Sequence, residues 1–375
     1  MSPCGAVLAF ALSLQPARPD FMIHVMPWFV YDSQTVGWHW TMNKKPEEVR
    51  RTGKVASHYT PLIGPYDSAD PKALDLHIGW MKLAGFDGVL ADWYGAADYY
   101  DYVMINERTK ALFAAATKAK MKIGVVYEDQ SVGNPVKNGL ASQSLAPSLA
   151  NDAGTYLNRT WITQPNWWRL GGRPVVMVFG PQFFTQVEWS AFKRGSGDIL
   201  LLTLHKITVP GEGGFDWPIP DLGLEFTKSF ASRSHTWKQR IGGAFPRFHD
   251  WYEEGGQKGY KDIPDRDGAT YRETLQMALD LKAPALQVAT WNDWQEGTQI
   301  EPSVELGMRD LAITQEARRK VDPAFKFTRS DLELPLKLYQ LRKKGLSEAA
   351  AAPIHEAICR GDLASARKAL AEQKV

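Results

Sequence analysis

The chain predicts a (β/α)8 barrel, the TIM-barrel architecture, with a small helical extension at its C-terminal end. Three observations carry this expectation. Eight short apolar runs lack polar alternation, as strands buried on both faces do. Helical patterns separate most of these runs, the alternation of a parallel sheet wrapped by helices. Polar and aromatic residues recur at the C-terminal ends of the runs, where barrels of this kind carry their sites. An open doubly wound sheet is the competitor, but no Gly-x-Gly-x-x-Gly follows the first run and no phosphate loop occurs.

Taken in order, residues 21–29 read as the first buried strand and lead into a long aromatic loop holding Trp28, Phe29, Tyr31, Trp38, His39, Trp40, Tyr59 and Tyr66. Asp70 as N-cap and Pro71 at the first helical position open a helix that stops at Gly85. The second strand, 88–94, ends in Asp92-Trp93-Tyr94, and after an Ala/Lys-rich helix over 107–120 the third, 123–129, ends in Tyr127-Glu128-Asp129. A helix over 145–161, a strand over 174–179 and a helix over 187–193 follow. The fifth strand, 199–205, ends at His205, and a short sixth, 214–217, ends in Asp216-Trp217. A helix over 224–240 precedes a seventh strand, 243–250, ending in His249-Asp250. The helix over 270–282 then leads to the eighth strand, 285–289. Residues 303–320 give a helix that closes the barrel, 331–344 a basic amphipathic helix, and the remainder a small helix pair. The expected division is 1–20 as export signal or disordered N-terminus, 21–325 as barrel and 326–375 as helical extension.

Composition excludes several function classes. The 375 residues carry 44 Lys+Arg against 42 Asp+Glu, so no global field favours nucleic acid or an anionic membrane. Two cysteines, Cys4 and Cys359, lie at opposite ends with no Cys/His ligand spacing, so neither metal nor other cofactor is expected. Fourteen Trp suit flat-faced ligands as well as a core. The apolar run 6–14 resembles the middle and end of an export signal, without the preceding Lys or Arg or a clean small-x-small cleavage site. Export to periplasm or exterior is the expectation, with a cytoplasmic N-terminal strand as the alternative. No other run approaches the ~20 apolar residues of a membrane span.

The eighth strand feeds into Trp291-Asn292-Asp293-Trp294-Gln295-Glu296-Gly297-Thr298-Gln299-Ile300-Glu301-Pro302. Two carboxylates three residues apart would face opposite sides of a continuing strand, and they converge only if the chain curls after Trp294 into a turn. Gly297 permits that curl. Tryptophans beside the pair would keep water away, raise a carboxyl pKa and hold one member protonated as an acid. Acids to move protons and flat faces to hold a ring are what cleavage of a sugar requires.

This stretch resembles the signature of glycoside hydrolase family 99, the endo-α-mannosidases, which reads Asn-Glu-Trp-His-Glu-Gly-Thr-Gln-Ile-Glu-Pro. Pro27-Trp28, Trp38-His39-Trp40 and Asp92-Trp93-Tyr94 are similar to early motifs of that family. The resemblance implies that Asp293 is the base that draws a proton from the sugar's own 2-hydroxyl, giving an anhydro-sugar intermediate, and that Glu296 is the general acid/base. Two positions depart from the pattern: Asp293 is one methylene shorter than Glu, so its carboxyl sits roughly 1–1.5 Å further back, and Gln295 replaces His. Asn-Asp-x-x-Glu is similar instead to family 71, the α-1,3-glucanases, for which the resemblance implies inversion.

Asp293 and Glu296 are thus the candidate catalytic residues. The candidate substrate-binding residues are Trp28, Trp38, His39, Trp40, Asp92, Trp93, Tyr94, Tyr127, Glu128, His205, Trp217, His249, Asp250, Asn292 and Trp294. The expected function is hydrolysis of an α-linked glycan of mannan or glucan type, endo-acting, on an oligo- or polysaccharide. The alternatives are an inverting α-1,3-glucanase-like enzyme, a lyase or transferase on the same scaffold, and a carbohydrate-binding barrel without chemistry.

Overall fold

The computed structural model describes residues 18–373; the apolar run 6–14 and Cys4 lie outside the described residues. Eight parallel strands form the barrel: β1 (Asp20–Val25), β2 (Gly88–Trp93), β3 (Lys122–Tyr127), β4 (Arg173–Val178), β5 (Leu200–Leu204), β6 (Gly213–Phe215), β7 (Gln239–Ala244) and β8 (Ala285–Val288). The ring closes through β3 on β4 (Val126 opposite Met177) and β8 on β1 (Ala285 opposite Asp20). A two-residue strand, Arg169–Leu170, adds an antiparallel hairpin at the start of β4.

Side chains alternate between the two faces of each strand, and the core divides accordingly. Met22, Leu90, Val126, Met177, Leu202, Phe215, Ile241 and Ala285, one from each strand, belong to the cluster filling the barrel. Their neighbours Ile23, Val89, Val125, Val176, Leu201, Ala244 and Leu286 join the larger cluster under the helices.

The helix Pro71–Ala84 starts as expected, the Asp70 side chain accepting from the Lys72 amide at 2.8 Å. It stops at Gly85, whose φ is 102° and where a Cβ would meet the Arg318 side chain at 2.8 Å. Both features require glycine. The aromatic loop after β1 contains two short helices, Trp38–Thr41 and Pro46–Thr52.

The seventh strand corrects the expected boundary. It occupies Gln239–Ala244 rather than 243–250. Beyond Ala244 the chain leaves the sheet: Pro246 has no N–H for a ladder, and Phe248 pairs instead with Ile263 across the β7 loop. The expected helix 224–240 is shorter, Gly223–Arg233, and the one expected at 303–320 is Arg309–Val321. Helices Glu333–Lys343, Glu348–Arg360 and Leu363–Ala371 follow. They pack on the barrel through helix Pro71–Ala84, where Trp80 Nε1 donates to the Leu332 carbonyl at 2.9 Å and Arg342 reaches Asp75 at 2.9 Å.

Candidate active site

A cavity of about 180 Å³ opens at the C-terminal ends of the strands, lined by His24, Met26, Trp28, Asp92, Tyr94, Glu128, Phe179, Trp217, Tyr252, Asp293 and Glu296. Its volume is below the roughly 300–1,000 Å³ of drug-sized ligand pockets, a space for a single sugar ring. Alternation along the strands selects most of these residues. His24, Met26 and Trp28 continue the inward face of Met22, and Asp92 and Tyr94 continue that of Leu90. Glu128, Phe179 and Trp217 follow Val126, Met177 and Phe215 in the same way.

After β8 the chain curls, and the Gly297 amide donates to the Trp294 carbonyl at 3.3 Å. Gly297 has φ 66°, and a Cβ there would lie 2.5 Å from the His249 carbonyl oxygen. The curl brings both acids into the cavity, with the Glu296 amide donating to Asp293 Oδ1 at 3.1 Å. Tyr252 Oη donates to Glu296 Oε1 at 3.2 Å. Burial raises the Asp293 carboxyl to about 7, with the charge of Asp92 adding to the rise and the Glu296 amide opposing it. Burial, and then the charge of Asp293, push Glu296 well above the usual carboxylate range. Two acids in one dry site cannot both ionise readily, which favours Glu296 as the protonated member of the pair.

Opposite the pair stand Asp92, Glu128 and His24. Burial and then Asp92 raise Glu128 well above its ordinary value. His24 Nε2 is 3.8 Å from Asp92 Oδ1, and the imidazole stands edge-on to Trp217 with centroids 4.8 Å apart. Both His24 nitrogens, Trp28 Nε1 and Glu128 Oε2 are buried without a hydrogen-bond partner in the protein. Buried polar atoms are rarely left so, and these border a ring-sized space in which hydroxyl groups would satisfy them. Trp28 is backed by His39, stacked at 4.4 Å, whose Nδ1 lies 3.0 Å from Gln295 Oε1. Burial lowers the His39 imidazole to about 4, so it is neutral.

A layer behind the cavity fixes the β8 loop. Asn292 Oδ1 accepts from the Met26 amide at 2.8 Å while its Nδ2 donates to the Met26 carbonyl at 3.0 Å and to Tyr66 Oη at 3.2 Å. Tyr66 donates in turn to Glu301 at 2.6 Å, and His77 Nε2 stands 3.1 Å from the other Glu301 oxygen. Arg247 is buried, donates to the Gln299 carbonyl at 2.9 Å and pairs with Asp310. The β7 and β8 loops are joined by the His249 amide to the Glu296 carbonyl and the Trp251 amide to the Gln295 carbonyl, both 2.8 Å.

Of the residues expected at the site, Trp28, Asp92, Tyr94, Glu128, Trp217, Asp293 and Glu296 meet in the cavity. The others stand elsewhere. Trp93 and Tyr127 point outward from the barrel, Trp93 Nε1 donating to Asn106 at 3.0 Å and Tyr127 stacking on Phe192 at 5.2 Å. His205 likewise faces outward, its Nδ1 3.7 Å from Asp216 and its ring edge-on to Phe226. Trp40 is core, donating to the Tyr66 carbonyl at 2.8 Å, and Trp294 is fully buried within the barrel cluster. His39 and Asn292 support the wall rather than form it. His249 stacks on His58 at 3.7 Å because the strand ends five residues before it. Asp250 accepts from the Tyr252 and Tyr260 amides at 2.9 and 2.8 Å, shaping the loop that delivers Tyr252. Trp38 is half exposed outside the cavity.

Sequence reasoning missed His24, Met26, Phe179 and Tyr252. The first three share the inward parity of residues already assigned to strands. Tyr252 lies in an aperiodic loop and carries no such signal. Among the described residues no group of three or more His, Cys, Asp or Glu is placed to hold a metal ion, and no helix is long and apolar enough to cross a membrane.

No family model matches the chain. It is similar at 24% identity over 291 residues to a glycoprotein endo-α-1,2-mannosidase-like protein of Danio rerio, covering 67% of this chain and 60% of that one. The protein of the same name from Mus musculus matches at 24% over 290 residues, covering 67% and 59%. The chain therefore spans about 60% of the length of the curated relatives it matches. Among solved structures, the family 99 endo-α-mannosidase from Bacteroides thetaiotaomicron superposes with a TM-score of 0.60 at 18% identity, covering 83% of this chain and 98% of that one. A glycoside hydrolase-like protein superposes with a TM-score of 0.56 at 13% identity, covering 80% and 94%. These structural matches share the closed barrel described above. In sequence the chain is similar to endo-α-1,2-mannosidase-like proteins, and in fold it is similar to a family 99 endo-α-mannosidase.

Proposed function

We propose that the chain hydrolyses an α-linked glycan as an endo-acting, α-mannosidase-type glycoside hydrolase, with Asp293 and Glu296 as its carboxyl pair. The observation that carries this reading is the pair itself. Two acids share one ring-sized cavity, and burial, with the charge of Asp293 acting on Glu296, separates their protonation states. The likeness to endo-α-mannosidase-like relatives supports the same substrate class.

Glu296, protonated, gives its proton to the leaving glycosidic oxygen as the C1–O bond breaks. Asp293, ionised in a substantial fraction of molecules near pH 7, takes the proton of the 2-hydroxyl. That oxygen closes on C1 to give an anhydro-sugar. Water then attacks C1 as the C1–O2 bond breaks, and delivers its proton to Glu296, while Asp293 returns a proton to O2. The configuration at C1 is retained. The shorter reach of Asp293 favours a second reading, in which it draws its proton from a water that attacks C1 directly, with inversion.

A screen on α-mannan, α-1,2-linked manno-oligosaccharides and α-1,3-glucan, with the anomer of the first product followed by NMR, tests the reading. An α anomer from a mannan substrate is expected, and a β anomer selects inversion. Absence of cleavage of every α-glycan would overturn the hydrolase assignment.

A further inference from the structure

Among the described residues, most exposed large hydrophobic side chains lie in the segment between the end of a barrel strand and the first turn of the next helix. Three are aromatic: Trp38, Tyr100 and Tyr260, about half exposed. Each is joined by contacting rings to a ring of the cavity wall.

Trp38 stands edge-on to His39 at 5.0 Å, and His39 stacks on Trp28. Tyr100 stands edge-on to Tyr102 at 5.4 Å, and Tyr102 stacks on Tyr94 at 5.3 Å. Tyr260 meets Tyr252 edge-on at 6.1 Å. Trp28, Tyr94 and Tyr252 all line the cavity. The outer ends of the first two series are neighbours, with His39 Nε2 4.0 Å from Asp101 Oδ2. The third rises from the β7 loop, three strands away from β2 around the ring of eight.

Tyr100 is held in place. Its φ of 49° is a left-handed conformation that an ordinary residue adopts at a cost. Asn138 Nδ2 donates to its hydroxyl at 2.7 Å. An exposed tyrosine in a strained, hydrogen-bonded setting presents a fixed flat face to solvent. Fixed aromatic faces continuous with a ring-sized cavity match the apolar faces of successive sugar rings, and scattered apolar exposure needs no such order.

Resting on the hydrolase reading, we infer that Trp38 with Tyr100 on one side, and Tyr260 on the other, are sugar-stacking platforms for a glycan that continues in both directions from the ring held in the cavity. The occupant is a neutral polysaccharide chain laid across this face.

Three variants test the platforms: Trp38→Ala, Tyr260→Ala and Tyr100→Asn, the last because Asn tolerates the left-handed backbone. The ratio of kcat/KM on a long α-linked oligosaccharide to that on the shortest cleaved substrate should fall about tenfold for each, the loss of roughly one good stacking contact. A ratio that stays at the wild-type value overturns the inference. Electrophoresis in gels containing α-mannan or soluble α-glucan reads the platforms without turnover. Retardation of the wild type that each variant weakens supports them even where no substrate is cleaved, and such a result would overturn only the hydrolase reading. A wild type retarded by neither polymer, or one that binds phosphatidylcholine vesicles in their place, overturns the platforms.

Discussion

Tyr252→Phe probes the electrostatics of the carboxyl pair while leaving its shape intact. The substitution removes the hydroxyl that donates to Glu296 Oε1 at 3.2 Å and keeps the ring against Tyr260. A hydrogen bond to a charged group contributes about 1.5–3 kcal/mol when well formed, but this one is longer than the usual 2.5–3.0 Å range of an O–H···O bond, so about 1 kcal/mol is expected. That bond favours the ionised carboxylate, and its loss raises the Glu296 pKa further. At 1.36 kcal/mol per pKa unit the rise is roughly 0.7. In the proposed mechanism Glu296 acts as an acid and must be protonated, so the alkaline limb of the kcat/KM profile should move up by about 0.7 pH unit. The assay is that profile, measured for both proteins on one manno-oligosaccharide. An alkaline limb that stays in place, or moves down, would refute the assignment of Glu296 as the acid positioned by Tyr252.

Three further perturbations follow from the same geometry. Asp293 is raised from 3.8 to about 7 in the folded chain, so between these values the folded state binds more protons than the unfolded, and stability falls as pH rises. Asp293→Asn removes this penalty: thermal melts should show a gain of about 1–2 kcal/mol at pH 8, below the roughly 4 kcal/mol of the full shift, and no gain near pH 3. Gly297→Ala places a Cβ against the His249 carbonyl oxygen at positive φ. Urea unfolding should register a loss of about 2–4 kcal/mol, together with lost activity as the curl opens. Asn292→Ala leaves both the amide and the carbonyl of Met26 without partners. A stability loss of about 2–3 kcal/mol is expected, with kcat reduced more than KM is raised, because the β8 loop loses its tie to the end of β1.

The barrel was legible because each strand is a short apolar run, and most of these runs end in polar or aromatic residues on one face. The carboxyl pair was legible because Gly297 allows the only local geometry in which residues three apart converge after a strand. What went astray was parity. Trp93, Tyr127 and His205 were grouped with Asp92, Glu128 and Trp217 because they adjoin strand ends, yet a period of two sends them outward into the cluster under the helices or against it. The same rule applied to Met22 and Met177 selects His24, Met26 and Phe179. The seventh strand was misplaced because Phe245 and Phe248 continue an apolar pattern past the point where the chain leaves the sheet. Tyr252 was beyond reach from pattern alone: it arrives through a loop shaped by the Asp250 side chain and tied to the β8 loop by backbone bonds. Those long-range contacts leave no periodic trace in the sequence.

Glu296 is proposed to supply the proton to the leaving group. Glu296→Gln retains the shape and loses the proton, and the most direct measurement compares its turnover of a manno-oligosaccharide with its turnover of an α-glycosyl fluoride, whose leaving group departs without protonation. General acid catalysis contributes about 10²–10⁴-fold. A loss of that size is expected on the oligosaccharide and a far smaller one on the fluoride. Oligosaccharide turnover near the wild-type rate, or equal losses on both substrates, would contradict that role.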